Sequence, residues 1–221
     1  YTIGTKLVLP DGRVFRYALN GAVALVAGKT VQETATAADH RKDLAVASAA
    51  AAGTSTITVT NGATTALVAN DHAEGFIFVN DAAGEGHAYK IKSHPAAATG
   101  ASCVFTIYGT IKVALTTSSE VGLKKNKFSK IIVTPATTTA RIVGVCTRAI
   151  AANQYGWIQT KGECSILSTA EVANLGEAVY DTTTVGAVGN GLVEVNDGTD
   201  LPAMAFADSA VTTDNCMVSL G

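Results

Sequence analysis

Apolar and polar residues alternate with a period of two in segment after segment of this chain, the signature of half-buried strands. In "STITVT", residues 55–60, Ile57 and Val59 fall on one face and Thr56, Thr58 and Thr60 on the other. Asn61-Gly62 then turns the chain. Upstream, "TKLVLPDGRVFRYALNGAVALVAG" is rich in β-formers and carries two turn signals, Pro10-Asp11-Gly12 and Asn20-Gly21. Residues 5–27 therefore predict a three-stranded meander. "GFIFVNDAAGEGHAYKIKSH" predicts a hairpin looped over Asn80 to Gly86. "SCVFTIYGTIKVALT" predicts a strand pair broken at Gly109, and "KFSKIIVTP" one more strand ended by Pro135.

Residues 31–52 lack this alternation and are rich in alanine, which favours helix. A short helix within residues 39–52, capped by Asp39 and ended by Gly53, is one expectation; an extended connector is the rival. Beyond Pro135, "ARIVGVCTRAI", "YGWIQTKGECSIL", "GEAVYD", "GLVEV" and "MVSLG" return at intervals of about ten residues, the rhythm of a sandwich or small barrel. Within the second of these, Lys161-Gly162 predicts a hairpin turn. The expected fold is mainly β: antiparallel β-sandwich or small β-barrel modules with at most one or two short helices. Its expected organisation is an N-terminal β-rich region, 1–135, and a C-terminal small barrel or sandwich, 136–221.

Composition narrows the partners. Charged residues are 15% of the 221, against about 25% in an average soluble domain, and Ala, Thr, Gly, Ser and Val take their place. A formal charge of −2 gives no electrostatic reason to expect nucleic acid. The longest apolar runs, "GAVALVAG" and "LAVASAAAA", fall far short of the ~20 residues a membrane helix needs. Cys103, Cys146, Cys164 and Cys216 form no C-x-x-C pair and read as buried free thiols.

Candidate chemistry is thin. Alternation places Tyr155 and Trp157, the only tryptophan, on one face and Ile158 on the other, while Gly156 lets a neighbour lie close. This reads as a structural stretch whose indole fills a core or caps a barrel, with a ligand platform as the lesser alternative. The Gly84-Glu85-Gly86 loop lacks the third glycine and the helix of a dinucleotide fingerprint. His72, His87 and His94, with Asp71, Glu74, Asp81 and Glu85 among them, show no metal-ligand spacing. Lys124, Lys125, Lys127 and Lys130 make a basic segment whose commoner reading is a solvated loop; the functional alternative is docking on an acidic protein surface, with Arg13 and Arg16 as further candidate partner contacts. There is no G-x-S-x-G elbow, and aromatics are only 6%. The expectation is no enzyme, no cofactor and no metal.

The C-terminal run "RIVGVCTRAIAANQYGWIQTKGECSILSTAEVANLGEAVYDTTTVGAV" and the closing "MAFADSAVTTDNCMVSLG" resemble the head decoration (cement) proteins of tailed bacteriophages. The shared pattern is a strand ending in Gly-Val, an aromatic-Gly-Trp-Ile-Gln strand, a turn and an apolar strand. The opening "LPDGRVFRYALNGAVALVAGK" and the middle "EGFIFVNDAAGEGHAYKIKSHP" look similar to proteins encoded among virion genes of marine phages. The resemblance implies a virion protein on the capsid exterior that binds the major capsid protein, bridges its subunits and assembles as a homotrimer. It carries no catalytic residues to transfer. The alternative is a receptor- or glycan-binding head-fibre or tail protein, which would present an exposed aromatic-lined groove.

Overall fold

The period-two segments become strands in a computed structural model that describes residues 1–168, 179–181, 185–190, 203–205 and 215–220. In chain order the first are β1 (Lys6–Val8), β2 (Val14–Leu19), β3 (Lys29–Gln32), β4 (Leu44–Ala45) and β5 (Thr56–Thr60). β6 (Phe76–Asp81), β7 (Ala88–Ser93), β8 (Ser102–Ile107), β9 (Glu120–Lys124), β10 (Ile132–Val133) and β11 (Ile142–Cys146) follow. The last are β12 (Tyr155–Leu167), β13 (Val179–Asp181), β14 (Val188–Asn190), β15 (Ala203–Ala205) and β16 (Asn215–Leu220). The ladders between them are antiparallel. The chain divides into two compact units: residues 35–126 form one, and 1–34 with 127–221 form the other.

The 35–126 unit is a six-stranded sheet ordered β4-β9-β6-β7-β8-β5. Its two ends meet: Val46 bridges Val59, and the Ala47 N–H donates to the Thr58 carbonyl at 2.8 Å. The sheet thereby nearly closes into a barrel, which leaves few open edges. Alternation decides what lies inside. Ile57 and Val59, Ile77 and Val79, Tyr89 and Ile91, Cys103 and Phe105, Val121 and Leu123 point into one core. The β6–β7 hairpin and the inward face of β5 appear as the sequence predicts.

The other unit is built on β12. Its first half pairs with β2 on one side and meets β11 on the other; its second half pairs with β16. β11 continues to β3 and β3 to β10, giving the order β1-β2-β12-β11-β3-β10. Ala18, Leu25, Val31, Phe128, Ile131, Cys146, Ile150 and Ile158 form the core beneath.

Several expectations change. The boundary does not fall at 135/136, because the first 34 residues are bound into the same sheet as β11 and β12 while residues 35–126 form the separate unit. No helix forms over 39–52: Ala38–His40 is a single 3-10 turn, and Leu44 and Val46 enter the barrel core. Asp39 caps a loop instead of a helix, its Oδ2 accepting from the Thr64 N–H, the Thr64 hydroxyl and the Thr65 N–H at 2.7–2.9 Å. The Thr64 hydroxyl, with both backbone donors, holds this carboxyl well below the usual carboxylate range.

The meander has two strands, not three. Pro10-Asp11-Gly12 turns β1 into β2, but after Asn20 the chain leaves β2, and β3 pairs with β10 and β11. Past Gly109 no second strand forms before β9; Leu115 only bridges Ala50.

The largest difference is at Lys161-Gly162. No hairpin turns there; β12 runs on for 13 residues with a bulge. The register steps from Gln159 opposite Phe15 to Lys161 opposite Val14, and Gly162 takes φ +85°. The buried Gln159 carboxamide pins this kink, donating to the carbonyls of Lys161, Gly162 and Glu163 at 3.1, 3.1 and 2.7 Å. Both signals that suggest a turn, glycine and a polar neighbour, serve a bulge instead. The predicted strand "GLVEV" lies outside the described residues.

Gln159→Leu removes the only side chain bonded to those three carbonyls among the described residues. It should lower unfolding free energy by about 1 kcal/mol, the net worth of part-buried hydrogen bonds, because removing the unpartnered Gln159 Oε1 offsets part of the loss. Urea unfolding read by Trp157 fluorescence measures this. A midpoint equal to wild type would contradict the pin.

Candidate functional site

Residues on the outer face of β2 and β12 form the most distinctive surface of the unit that contains them. In the ladder Trp157 stands opposite Tyr17 and Tyr155 opposite Leu19, so the three rings share the face that Ala18 and Ile158 do not. The Tyr17 and Trp157 ring centres are 5.1 Å apart; those of Tyr17 and Tyr155 are 5.5 Å apart and nearly parallel. Tyr1 adds a fourth ring, 5.5 Å from Tyr17 and 5.3 Å from Trp157. Three of the six tyrosines and the only tryptophan thus gather in one patch of a chain poor in aromatics.

The alternation read from the sequence holds here: Ile158 is fully buried on the opposite face. Gly156 is bare for a local reason, since the Ile150 side chain occupies the space a Cβ would take. The indole, however, is half-buried on the sheet's outer face and does not fill the core.

Beside the rings, the β11–β12 connection folds back over the start of β12 and leaves a half-open hollow of about 460 Å³. It is lined by Thr147, Arg148, Ile150, Gln154, Tyr155 and Trp157, among others. Asn20 holds that connection in place. Its buried carboxamide donates to the Val23, Ile150 and Ala151 carbonyls at 2.9–3.1 Å, and its backbone N–H to the Gln154 carbonyl at 2.9 Å. The sequence marks Asn20 as a hairpin residue, and its role as a clamp between distant loops has no local signature. Tyr17, Arg148 and Gln154 are likewise missing from the sequence-derived candidates.

The expected basic contact draws on residues of both units. Lys124 and Lys125 belong to one unit, Lys127 and Lys130 to the other. Lys125 pairs with Asp71 at 2.7 Å with both side chains largely covered. Lys127 lies over the Phe128 ring at 5.1 Å, and Lys130 uses its carbonyl to accept from the Thr34 hydroxyl. Arg13 pairs with Asp11 in the β1–β2 turn at 2.7 Å. Arg16 donates to the Gly4 carbonyl at 2.9 Å and covers Phe128. The side chains of Lys125, Lys127, Arg13 and Arg16 therefore each have a local ion pair, hydrogen bond or ring partner.

In the barrel unit three histidines gather. His72 lies 5.7 Å from His94 and 5.6 Å from His40 between ring centres. All three are buried. His87 instead donates to the Gly84 carbonyl and stacks on Tyr89. His94 is neutral by geometry: its Nδ1–H donates to the Pro95 carbonyl at 2.9 Å, leaving Nε2 to accept the His72 N–H at 3.1 Å. Among the described residues no three His, Cys, Asp or Glu side chains are placed to hold a metal ion. Cys103, Cys146 and Cys164 are buried, and burial pushes the Cys103 and Cys146 thiols up. The Cys216 side chain lies outside those described.

Both ring nitrogens of His72 are buried without a hydrogen-bond partner. Burial pushes its imidazole down to about 3; Lys125, His94 and His40 push the same way, and Asp71 opposes them. Burial lowers His94 as well.

No family model, no curated protein and no solved structure matches the chain.

The buried imidazole has a consequence for acid stability. Unfolded, His72 takes a proton near its ordinary value of about 6.5; folded, it resists protonation until about 3. Between those values the unfolded state holds more protons, so stability is full above about 6.5 and falls as pH drops, by up to about 1.4 kcal/mol per pH unit. His72→Leu should flatten this slope and cost little at pH 7.5, where the ring nitrogens have no partner to lose. Denaturant titrations at a series of pH values compare the two, and parallel slopes would count against the assignment.

Proposed function

We propose that this chain is a structural virion protein of a tailed bacteriophage, a decoration protein that coats the outside of the head and bridges neighbouring capsid subunits. The observation that carries the reading is the exposed edge strand β1, Lys6-Leu7-Val8, of the unit containing β12. At the end of that sheet all three residues of β1 are exposed, with Leu7 at 39% and Val8 at 55%. Edge strands with free backbone groups and apolar side chains invite pairing with another chain. A protein that works as a coat has a use for such an edge; a monomer working alone does not. The mainly antiparallel β architecture and the low charge agree with this reading, as does the sequence resemblance to head decoration proteins.

In this role the partner is the major capsid protein, and the protein's own copies complete the assembly as a homotrimer. Closed cyclic symmetry would cover the same edges that risk open-ended aggregation. Many modest contacts add through avidity, so each interface can be small and still hold the shell. The work is done by shape and adhesion on the capsid exterior, with no cofactor.

Purified protein mixed with undecorated heads should bind saturably and raise the temperature at which they release DNA. Because the contact is mainly apolar, binding should survive about 0.5 M salt, where exposed charge pairs are screened. Leu7→Lys with Val8→Lys should lower head affinity by about tenfold or more without shifting the protein's own melting temperature. Heads that stay bare and no more heat-resistant under all these conditions would sink the proposal.

A further inference from the structure

We infer that the aromatic face of β2 and β12, with the hollow beside it, is a binding site for a pyranose saccharide. The site is distinct from the β1 edge assigned to the shell contact and does not depend on that assignment. Its parts match what a sugar requires. A pyranose ring presents a flat patch of C–H groups that packs on an aromatic face, and a rim of hydroxyls that both donate and accept. Tyr155, 52% exposed, and the half-buried Trp157 are among the residues that line the hollow, and their rings stand on the sheet face beside it. Tyr17 backs both of them, with ring centres 5.5 and 5.1 Å away, so neither ring need be ordered when a ligand arrives.

The polar rim faces the same space. Gln154 carries both a donor and an acceptor, the Thr147 hydroxyl does the same, and Arg148 offers donors only. All three are exposed, and among the described residues none of the three side chains has a hydrogen-bond or ion-pair partner. At about 460 Å³ the hollow lies within the range of small-ligand sites, about 300–1,000 Å³. The clamp made by Asn20 keeps it open in advance, since three carbonyls of the surrounding loops are tied to one buried side chain.

Other occupants fit less well. A peptide strand would seek a sheet edge, and these rings stand on a sheet face. Single-stranded nucleic acid also stacks on aromatics but needs cations along its backbone. Here, among the described residues, Arg148 is the one cation lining the hollow, on a chain of net charge −2.

The single tryptophan makes the test direct, because its fluorescence reports this site alone. Titrating the whole protein with maltotriose, chitotriose and trigalacturonic acid should give a saturable change in Trp157 emission with at least one of them. Tyr155→Ala should then weaken that sugar by about tenfold, and Gln154→Ala by about threefold, each read by calorimetry. Both side chains are exposed, so the variants should fold; an unchanged melting temperature verifies it, and both should still bind heads as wild type does. No saturable response to any of the three sugars at about 10 mM overturns the inference. So does an unchanged affinity in both variants, or tighter binding of an oligothymidylate than of every sugar.

Discussion

A strand of 13 residues is too long for one neighbour, and the way β12 shares itself organises half of this protein. Its first half needs β2 and β11; its second half needs β16. A straight strand cannot serve both sets, because the twist accumulated along its length would carry the second half out of register. The bulge at Gln159–Lys161 absorbs the mismatch, and the Gln159 carboxamide stabilises it by bonding three carbonyls in the kink. Because β2 and β3 are held on β12 and β11, the first 34 residues become part of a unit whose remainder begins at residue 127. The barrel unit of residues 35–126 is thus an insertion in sequence, folded around its own core.

Among the described residues, both units keep buried polar atoms without a partner. On β12, Gln159 donates to three backbone carbonyls while its Oε1 accepts from nothing. In the barrel, His72 keeps both ring nitrogens unpartnered between two other imidazoles and beside the Asp71–Lys125 pair. An unpartnered buried imidazole is tolerated while it is neutral, and becomes costly when protonated. Stability at neutral pH and stability in acid therefore rest on different residues.

Two surface features stand out on the unit built on β12. The β1 edge strand is exposed, and the outer face of β2 and β12 concentrates aromatic rings on a chain in which they are rare. The two features lie on the same sheet but differ in chemistry. The edge offers backbone pairing and aliphatic contact; the face offers rings, hydroxyl and amide groups around a hollow. Under the function and the site proposed above, the edge would meet the shell and the face a saccharide.

What the sequence determined by itself was local. The alternation at Ile57 and Val59, the turn at Pro10-Asp11-Gly12, the β6–β7 hairpin and the placing of Ile158 opposite Tyr155 and Trp157 all follow from contacts within a few residues, and all hold. Partner choice between distant segments was decided only by the tertiary structure. Asp39 has the chemistry of a helix cap, yet Thr64 and Thr65 supply better donors than an alanine helix would. Lys161-Gly162 has the chemistry of a turn, yet Gln159 and the pairing with β16 make it a bulge. His40 joins His72 and His94 because the barrel closes on itself, and the spacing 40, 72, 94 carries no trace of that closure. The aromatic face was half legible: Tyr155 and Trp157 follow from alternation, while Tyr17 joins them across a ladder linking residues about 140 apart. Short-range stereochemistry is written in adjacent residues; register between remote strands is settled by the packing free energy of the whole sheet.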